Sequence, residues 1–306
     1  MLIPTTSSTL GFYRAAQGQQ AGLRGEAEVL QRQIATGDRL QRGSDDPVAA
    51  ARLRSLARAE RLAGVESGNA LRAREELGSA SARLDEMAAT LVRARELAVM
   101  AASDTTSPEG RAAIATEFGQ LREALFALAN ATGAAGQPLF AGEGTGPAYV
   151  KAPDGTVSYA GTGEAAELEI GPGIAVQRGL AGPAVLSFQS GGVSSDAFAL
   201  LGSLEQAFSG GAADPAAAAR GALPAFDAAI DAIGRGQTVV GTRLTWVETV
   251  ETIAAERGEA RAVESAQAGG ADIATTITRL QQVMTALEAS QASFSRLASL
   301  SLFDRL

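Results

Sequence analysis

A heptad register of apolar residues follows Pro47 and constrains the fold more than any other feature of this sequence. Two apolar rows keep the register over many turns, at the offset of the a and d positions of a coiled coil. The first row is Ala49, Leu56, Ala63, Ala70, Leu77, Leu84, Leu91 and Ala98, and the second is Ala73, Ala80, Met87, Ala94 and Ala101. One helix from Pro47 to Ser103 would be on the order of 85 Å long, which predicts a rod.

The stretch GSDDPVAAAR at residues 43–52 predicts where this helix begins. Ser44, Asp45 and Asp46 are preferred N-cap residues, and Pro47 suits the first helical position because an N–H there would have no partner. The two carboxylates also complement the positive end of the helix dipole. The alternative is an acid–base or metal site built on the paired carboxylates. We favour the cap because it explains the carboxylates and the proline together.

Both ends of the chain are predicted to pack as helices. Residues 1–22 are rich in Thr, Ser, Gly and Gln and are expected to be poorly ordered in isolation. A helix that ends at Gly37 is then indicated by an apolar stripe, Leu23, Ala27, Leu30 and Ile34. Near the C-terminus one row is Ile273, Leu280, Leu287 and Phe294, and a second is Ile277, Met284, Gln291 and Ala298. These seams are expected to pack on each other and on neighbouring copies.

The spacing of apolar residues changes in the middle of the chain. After a turn at residues 103–110, a helix antiparallel to the first is predicted by Ile114, Phe118, Leu121, Leu125 and Leu128. Residues 137–189 are dense in Gly and Pro, and two β-hairpins are predicted around Asp154-Gly155 and Gly171-Pro172-Gly173. A Gly/Ser linker at residues 190–195 precedes two further helical segments and a returning helix from about Val240.

These patterns predict a mainly α fold with a small β-rich insert, in which N- and C-terminal helices form an elongated antiparallel coiled-coil rod. The expected parts are an N-terminal segment with the first helix at 1–45, a long helical hairpin at 46–136, a β-rich outer domain at 137–189, outer helical segments at 190–236 and returning C-terminal helices at 237–306. Because Gly- and Pro-rich junctions bound the insert, the helices are expected to fold without it.

Composition removes most catalytic chemistry. The chain has no cysteine and no histidine, which excludes thiol nucleophiles, zinc–thiolate sites and imidazole bases. Lys151, the single lysine, follows no phosphate-binding glycine loop. We therefore predict no catalytic, cofactor or metal site and no enzyme. A net charge of −8 without a basic cluster disfavours nucleic acid, and the Arg/Glu mixture of residues 52–96 is read as a solvated helix face.

The sequence indicates neither a membrane helix nor a cleavable signal peptide, and its single tryptophan does not indicate a ligand site. No stretch approaches the ~20 apolar residues of a membrane helix, and the first residues lack the apolar core of a cleavable signal peptide. Trp246 is expected to be a core residue or an interface anchor rather than a platform for a ligand.

Several motifs match a known family. Residues 30–52, LQRQIATGDRLQRGSDDPVAAAR, resemble the flagellin superfamily near the start of its long helix. Within it, Ser44–Val48 resembles the hook-associated protein 3 family. Matches to that family's outer domain and returning helix are LFAG at 139–142, YAG at 159–161 and VGTRL at 240–244. The ending LASLSLFDRL, 297–306, is similar to the terminal helix of the superfamily.

The resemblance implies a flagellin-like fold and a structural subunit at the hook–filament junction of the bacterial flagellum. It implies secretion through the flagellar type III export apparatus, with an export chaperone on the C-terminal helix. The implied partners are the first hook-associated junction protein, flagellin and further copies of the chain in a ring. The resemblance covers both helical ends of the chain. It is weak across the insert and from Gln189 to Thr238.

The C-terminal tail is predicted to be an assembly element. Its large apolar side chains are Leu297, Leu300, Leu302, Phe303 and Leu306. While only one face of the tail is covered, burying them is worth less than ordering the tail costs. We therefore expect the tail to be mobile in the monomer and to fold when neighbouring copies cover it.

Two alternatives stay open. A divergent flagellin would form the filament itself and would be needed in far more copies than a ring. A cytoplasmic signalling coiled coil would share the heptads, but the apolar tail and the β insert argue against it.

Overall fold

The chain has the mainly α-helical fold with a small β-rich insert that the sequence predicts. The computed structural model describes residues 6–103 and 106–303. The helices are α1 Thr6–Thr36, α2 Pro47–Ala101, α3 Pro108–Ala129, α4 Pro183–Leu186, α5 Ala197–Gln206, α6 Pro215–Gly269 and α7 Ile273–Phe303. The strands are β1 Tyr149–Lys151, β2 Val157–Tyr159, β3 Glu167–Gly171, β4 Ile174–Gln177, β5 Ser187–Ser190 and β6 Val193–Asp196.

Helices α1 and α7 pack antiparallel in the first of two compact units, which consists of Met1–Arg61 and Arg257–Leu306. Glu26 and Arg279 form an ion pair at 3.0 Å. The rings of Tyr13 and Phe294 meet edge to face, with their centroids 5.3 Å apart. Ala27 is buried within the predicted stripe of α1. The expectation that the two ends of the chain pack on each other is therefore confirmed.

The structure differs from the sequence predictions at two places in this unit. Helix α1 begins at Thr6, so residues 6–22 are helical where poor order was expected, and the contact of Tyr13 with α7 is one reason. On α7, Ile277 and Met284 of the second predicted row are exposed, whereas the buried side chains are Thr276, Val283 and Leu287. A helix that packs along one partner buries one face, so the side chains of Ile277 and Met284 stay uncovered within the unit.

The heptad seam of α2 is closed in the second unit, Leu62–Glu256. Both predicted rows are at most 2% exposed from Ala70 to Ala101. Helix α6 runs antiparallel beside α2, since Arg74 pairs with Glu251 at 2.8 Å and Arg95 with Asp227 at 2.7 Å. Ala63, an earlier member of the first row, is only half-buried. The coiled-coil prediction is thus confirmed for this part of the helix.

Helix α3 returns along α2 after the turn, as its spacing predicts. Arg93 of α2 pairs with Glu117 of α3 at 2.6 Å, and Phe118 and Leu125 of α3 are fully buried. Helix α6 continues without a break through two segments that the spacing of apolar residues predicts as separate, even though it contains Pro224. Burial of Phe226, Ile233 and other core residues along α6 outweighs the cost of the proline.

The insert consists of three antiparallel hairpins. Strands β1 and β2 pair Tyr149 with Tyr159, and β3 pairs with β4, so both predicted hairpins are confirmed. Strands β5 and β6 form a third hairpin where a linker was predicted at residues 190–195. Its turn is Gly191-Gly192, with φ of 59° and 81°, a left-handed conformation that suits glycine and a tight hairpin.

The insert shares its core with the helices of the second unit. Ile170, Val176 and Val185 belong to the same apolar cluster as the α2 seam. Arg178 reaches the buried Glu76 of α2 with both carboxylate oxygens 3.3 Å away, and Asn69 donates to the Glu169 carbonyl at 2.8 Å. Removing the insert would strip this core and leave Glu76 without its partner. The expectation that the helices fold without the insert is therefore revised.

Candidate assembly site at the helix crossovers

Asp46 forms the N-terminal cap of α2. Its Oδ1 accepts a hydrogen bond from the Ala49 N–H at 3.0 Å, and its carbonyl accepts one from Ala50 at 2.9 Å. These are the bonds that an N-cap residue makes. The bond from Ala49, followed by the guanidinium of Arg39, holds the pKa of Asp46 below its usual 3.8. Asp46 is therefore a carboxylate at neutral pH.

Asp45 has a different role from its neighbour. Its Oδ2 accepts hydrogen bonds from the N–H groups of Gln41 at 3.2 Å and Arg42 at 2.8 Å, which closes the turn before α2. Pro47 is the first residue of the helix. Ser44 is exposed, and within the described residues its hydroxyl makes no hydrogen bond. Of the three candidate caps, Asp46 therefore caps the helix, Asp45 closes the preceding turn and Ser44 does neither.

The loop between α1 and α2 lies against the loop between α6 and α7. The Arg39 N–H donates to the Gly269 carbonyl at 2.7 Å, and the Ala271 N–H donates to the Gly37 carbonyl at 2.7 Å. The Arg39 guanidinium also donates to Asp46 Oδ2 at 3.1 Å and to the Ala268 carbonyl at 2.9 Å. We call residues 37–47 and 268–272 the crossover site. One arginine there joins the cap of α2 to the end of α6.

Two further residues shape the crossover site. Gly37 ends α1 with a φ of 75°, the left-handed conformation that glycine adopts after a helix. Asp272 caps α7, since it accepts hydrogen bonds from the hydroxyl of Thr275 at 2.7 Å and from its N–H at 3.2 Å. These two bonds, the hydroxyl first, lower the pKa of Asp272 from its usual 3.8. Both helices that leave the crossovers therefore start with a capping aspartate.

Hydrogen bonds and one ion pair hold the crossover site together. Asp45 and Asp46 both accept hydrogen bonds from backbone N–H groups, and Asp46 also pairs with Arg39. In the described part of the chain, no group of three or more acidic, His or Cys side chains is arranged to hold a metal ion. Over the same residues, no helix is long and apolar enough to cross a membrane.

Arg39 and Asp272 were not among the residues singled out from the sequence. Asp272 carried a readable signal, because it follows Gly269-Gly270 and directly precedes the apolar row of α7. Arg39 had no such signal in the sequence, because its partner Ala268 is distant along the chain and only folding brings the two together.

The predicted assembly tail falls at the limit of the described structure. Helix α7 extends to Phe303. Leu306 lies outside the described residues, as do the side chains of Leu297, Leu300, Leu302 and Phe303. The Trp246 side chain is 46% exposed, so it is not a core residue, and an interface role stays a prediction.

Comparison with known proteins shows what this chain is similar to. The model of the bacterial flagellin N-terminal helical region matches residues 8–145, which include α2, α3 and the loop of the crossover site that precedes α2. This part of the chain is therefore similar to the flagellin superfamily. Over 292 residues it is 27% identical to flagellar hook-associated protein 3 of Escherichia coli, covering 89% of this chain and 90% of that protein.

Solved structures show the same fold. FlgL of Xanthomonas campestris superposes with a TM-score of 0.61 at 16% identity, covering 69% of this chain and 99% of that one. The flagellar junction protein FlgL of Legionella pneumophila gives a TM-score of 0.58 at 14% identity, covering 71% and 99%. The flagellin-like fold and the resemblance to hook-associated proteins are thereby confirmed.

Proposed function

We propose that this chain is a structural subunit of the bacterial flagellum that joins the flexible hook to the rigid filament at their junction. The observation that carries the proposal is the similarity to hook-associated protein 3 over most of both chains. The solved neighbours named as FlgL, one of them a flagellar junction protein, support it through the shared fold. Within the family, the small insert fits a junction subunit.

The partners follow from that position. The chain would contact the first hook-associated junction protein on the hook side, flagellin on the filament side and further copies of itself in a ring. Type III export in an unfolded state suits a chain without cysteine, because no disulfide can lock it before export. An export chaperone would cover the C-terminal helix until assembly. The role is mechanical rather than enzymatic.

The crossover site and the tail would serve assembly. Asp45 and Asp46 order the loop that carries the chain from α1 into α2, and Arg39 ties this loop to the end of α6. The site would thus keep the α1–α7 pair in register with the start of α2. The apolar tail, Leu297 to Leu306, would fold fully only against neighbouring copies.

A deletion strain tests the proposed function. Cells without the gene should build hooks and lack filaments, and flagellin should appear in the medium because nothing retains it on the hook. Normal filaments on the deletion strain would refute the junction role. A divergent flagellin, the second candidate, predicts that the chain itself is the bulk protein of purified filaments, whereas a junction subunit is present only in trace amount.

A further inference from the structure

We propose that the outer face of α2 in one copy of this chain binds the outer face of α6 in a second copy, through arginines on α2 and glutamates on α6. The inference rests on the proposed function, which requires copies to assemble, and names the surfaces that meet. We call Arg54, Arg58 and Arg61 the basic row, and Glu248, Glu256 and Glu259 the acidic row.

The basic row is an unpaired cationic surface on an acidic protein. The side chains of Arg54, Arg58 and Arg61 are exposed and, within the described residues, have no carboxylate partner. Spacings of four and three place them on one face of the helix. Other arginines of α2 do have carboxylate partners, namely Arg52, Arg74, Arg83, Arg93 and Arg95. The solvated, ion-paired face predicted from the sequence therefore accounts for these arginines and not for the basic row.

The basic row points away from α6 of its own copy. Next to the basic row, Arg52 and Glu60 of α2 reach α6, where they pair with Glu264 and Arg261. Arg58 is two residues from Glu60, about half a turn around a helix of 3.6 residues per turn. The arginines of the row therefore face away from the carboxylates of their own α6, and no other carboxylate among the described residues pairs with them.

The acidic row occupies the corresponding outer face of α6. Glu259 is two residues from Arg261, again about half a turn from the side that faces α2. Glu256 lies one turn before Glu259, and Glu248 lies about three turns before it on the same side. All three are exposed and, in the part of the chain that the structure describes, have no ion-pair partner.

Each face also exposes a large apolar side chain. Leu62, next to the basic row, is 59% exposed, and Val263, one turn beyond Glu259, is 58% exposed. Apolar contacts flanked by charge pairs are typical of an interface between proteins.

The occupant that the charges favour is a second copy of the chain. The positive face and the negative face belong to the same molecule, and within the first unit the basic row and Glu259 lie on opposite sides of the α2–α6 pair. Each copy therefore offers one face to the neighbour on its left and the other to the neighbour on its right. Such a head-to-tail contact repeats from copy to copy and builds a ring or helical row rather than a closed dimer. If one copy is shifted along the helix axis relative to its neighbour, the same two faces still meet. Only the pairing of individual arginines with individual glutamates changes.

Cross-linking in the purified full-length chain tests the contact without relying on flagellar function. Because the chain has no cysteine, introduced thiols react without background. A mixture of Arg58→Cys and Glu259→Cys chains, concentrated and treated with a short bismaleimide, should yield a mixed dimer. Arg58→Cys chains alone should not cross-link, since two basic faces repel. Equal yields with Arg235→Cys, an exposed arginine elsewhere on α6, in place of Arg58→Cys would refute the proposal.

Charge reversal provides the second test. Changing Arg54 and Arg61 to Glu in the Arg58→Cys chain should lower the mixed cross-link at least roughly tenfold, since like charges then oppose each other. Changing Glu248 and Glu256 to Arg in the Glu259→Cys chain as well should restore it. Arg235→Glu and Glu143→Arg are controls that each reverse one charge at an exposed position outside the rows, and they should have no effect.

The outcomes separate this inference from the proposed function. If the double reversal fails to restore the cross-link, or if the basic row binds anionic vesicles or heparin instead, the contact between copies is refuted while the junction role stands. If the deletion strain has normal filaments, the junction role falls, and the cross-link then reports self-association of a protein with another role. Circular dichroism of each variant establishes that the helices remain folded.

Discussion

The contact between Gly236 of α6 and the insert offers a sharp test of the structure. A Cβ built on Gly236 would lie 2.4 Å from Cγ1 of Val185, well inside van der Waals contact. Val185 is fully buried and β-branched, so it cannot move aside at low cost. Gly234, two residues earlier on the same helix, has nothing within 4 Å of its Cβ position. The two glycines form a matched pair.

Gly236→Ala should therefore destabilise the second unit, although alanine favours helix. Overpacking of this kind costs up to about 3 kcal/mol, and the gain in helix propensity offsets about 1 kcal/mol of it. The expected net loss is roughly 2 kcal/mol. Gly234→Ala should instead stabilise the protein by up to about 1 kcal/mol, because it gains the propensity without the clash.

Denaturant unfolding followed by far-UV circular dichroism measures both changes, and Val185→Ala completes a double-mutant cycle. In the Val185→Ala background the clashing methyl is gone, so Gly236→Ala should become neutral or stabilising, with a coupling of about 1–3 kcal/mol between the sites. Equal stabilisation by Gly236→Ala and Gly234→Ala in the parent chain would show that the insert does not approach α6 as described.

Four further predictions concern the crossovers, the pH dependence, the insert and the tail. Arg39→Ala should speed hydrogen exchange at the Ala271 amide, whereas Arg42→Ala, an exposed control, should not; equal effects would argue against a tie through the guanidinium. Because folding lowers the pKa of Asp46 and Asp272, their stabilisation is full above the usual 3.8 and is lost as the pH falls below it. Asn at both positions should therefore flatten the acid limb of a helicity titration, and an unchanged limb would contradict the capping roles. Deleting residues 142–187 should lower the melting temperature of the helices, because it uncovers the shared core and orphans Glu76; an unchanged melt would restore the view of an independent insert. Truncation after Phe294 should abolish incorporation into flagella while leaving melting of the second unit unchanged, and normal incorporation would remove the tail from the assembly model.

The local pattern of the sequence determined the elements of this protein. The two heptad rows predicted α2, because a buried seam requires apolar residues at fixed spacing, and Asp46-Pro47 predicted where it starts. Asp154-Gly155 and Gly171-Pro172-Gly173 predicted two hairpins, since these turns demand residues that adopt unusual backbone angles. The absence of Cys and His excluded whole classes of chemistry by composition alone, because no other side chain supplies a thiolate or an imidazole.

The tertiary structure decided everything that depends on which surfaces meet. Gly191-Gly192 was predicted to be part of a linker, because the flanking strands contain few apolar residues. Only the pairing of β5 with β6 shows that these glycines form a hairpin turn. Arg39 could not be found, because its partner at Ala268 becomes a neighbour only when both crossovers fold. The arginines of α2 look alike in the sequence, and only the folded structure shows which of them have a carboxylate partner among the described residues, as Arg52 does and Arg58 does not. Local spacing fixes the face on which a residue lies, whereas the partner of that face is set by contacts between distant parts of the chain.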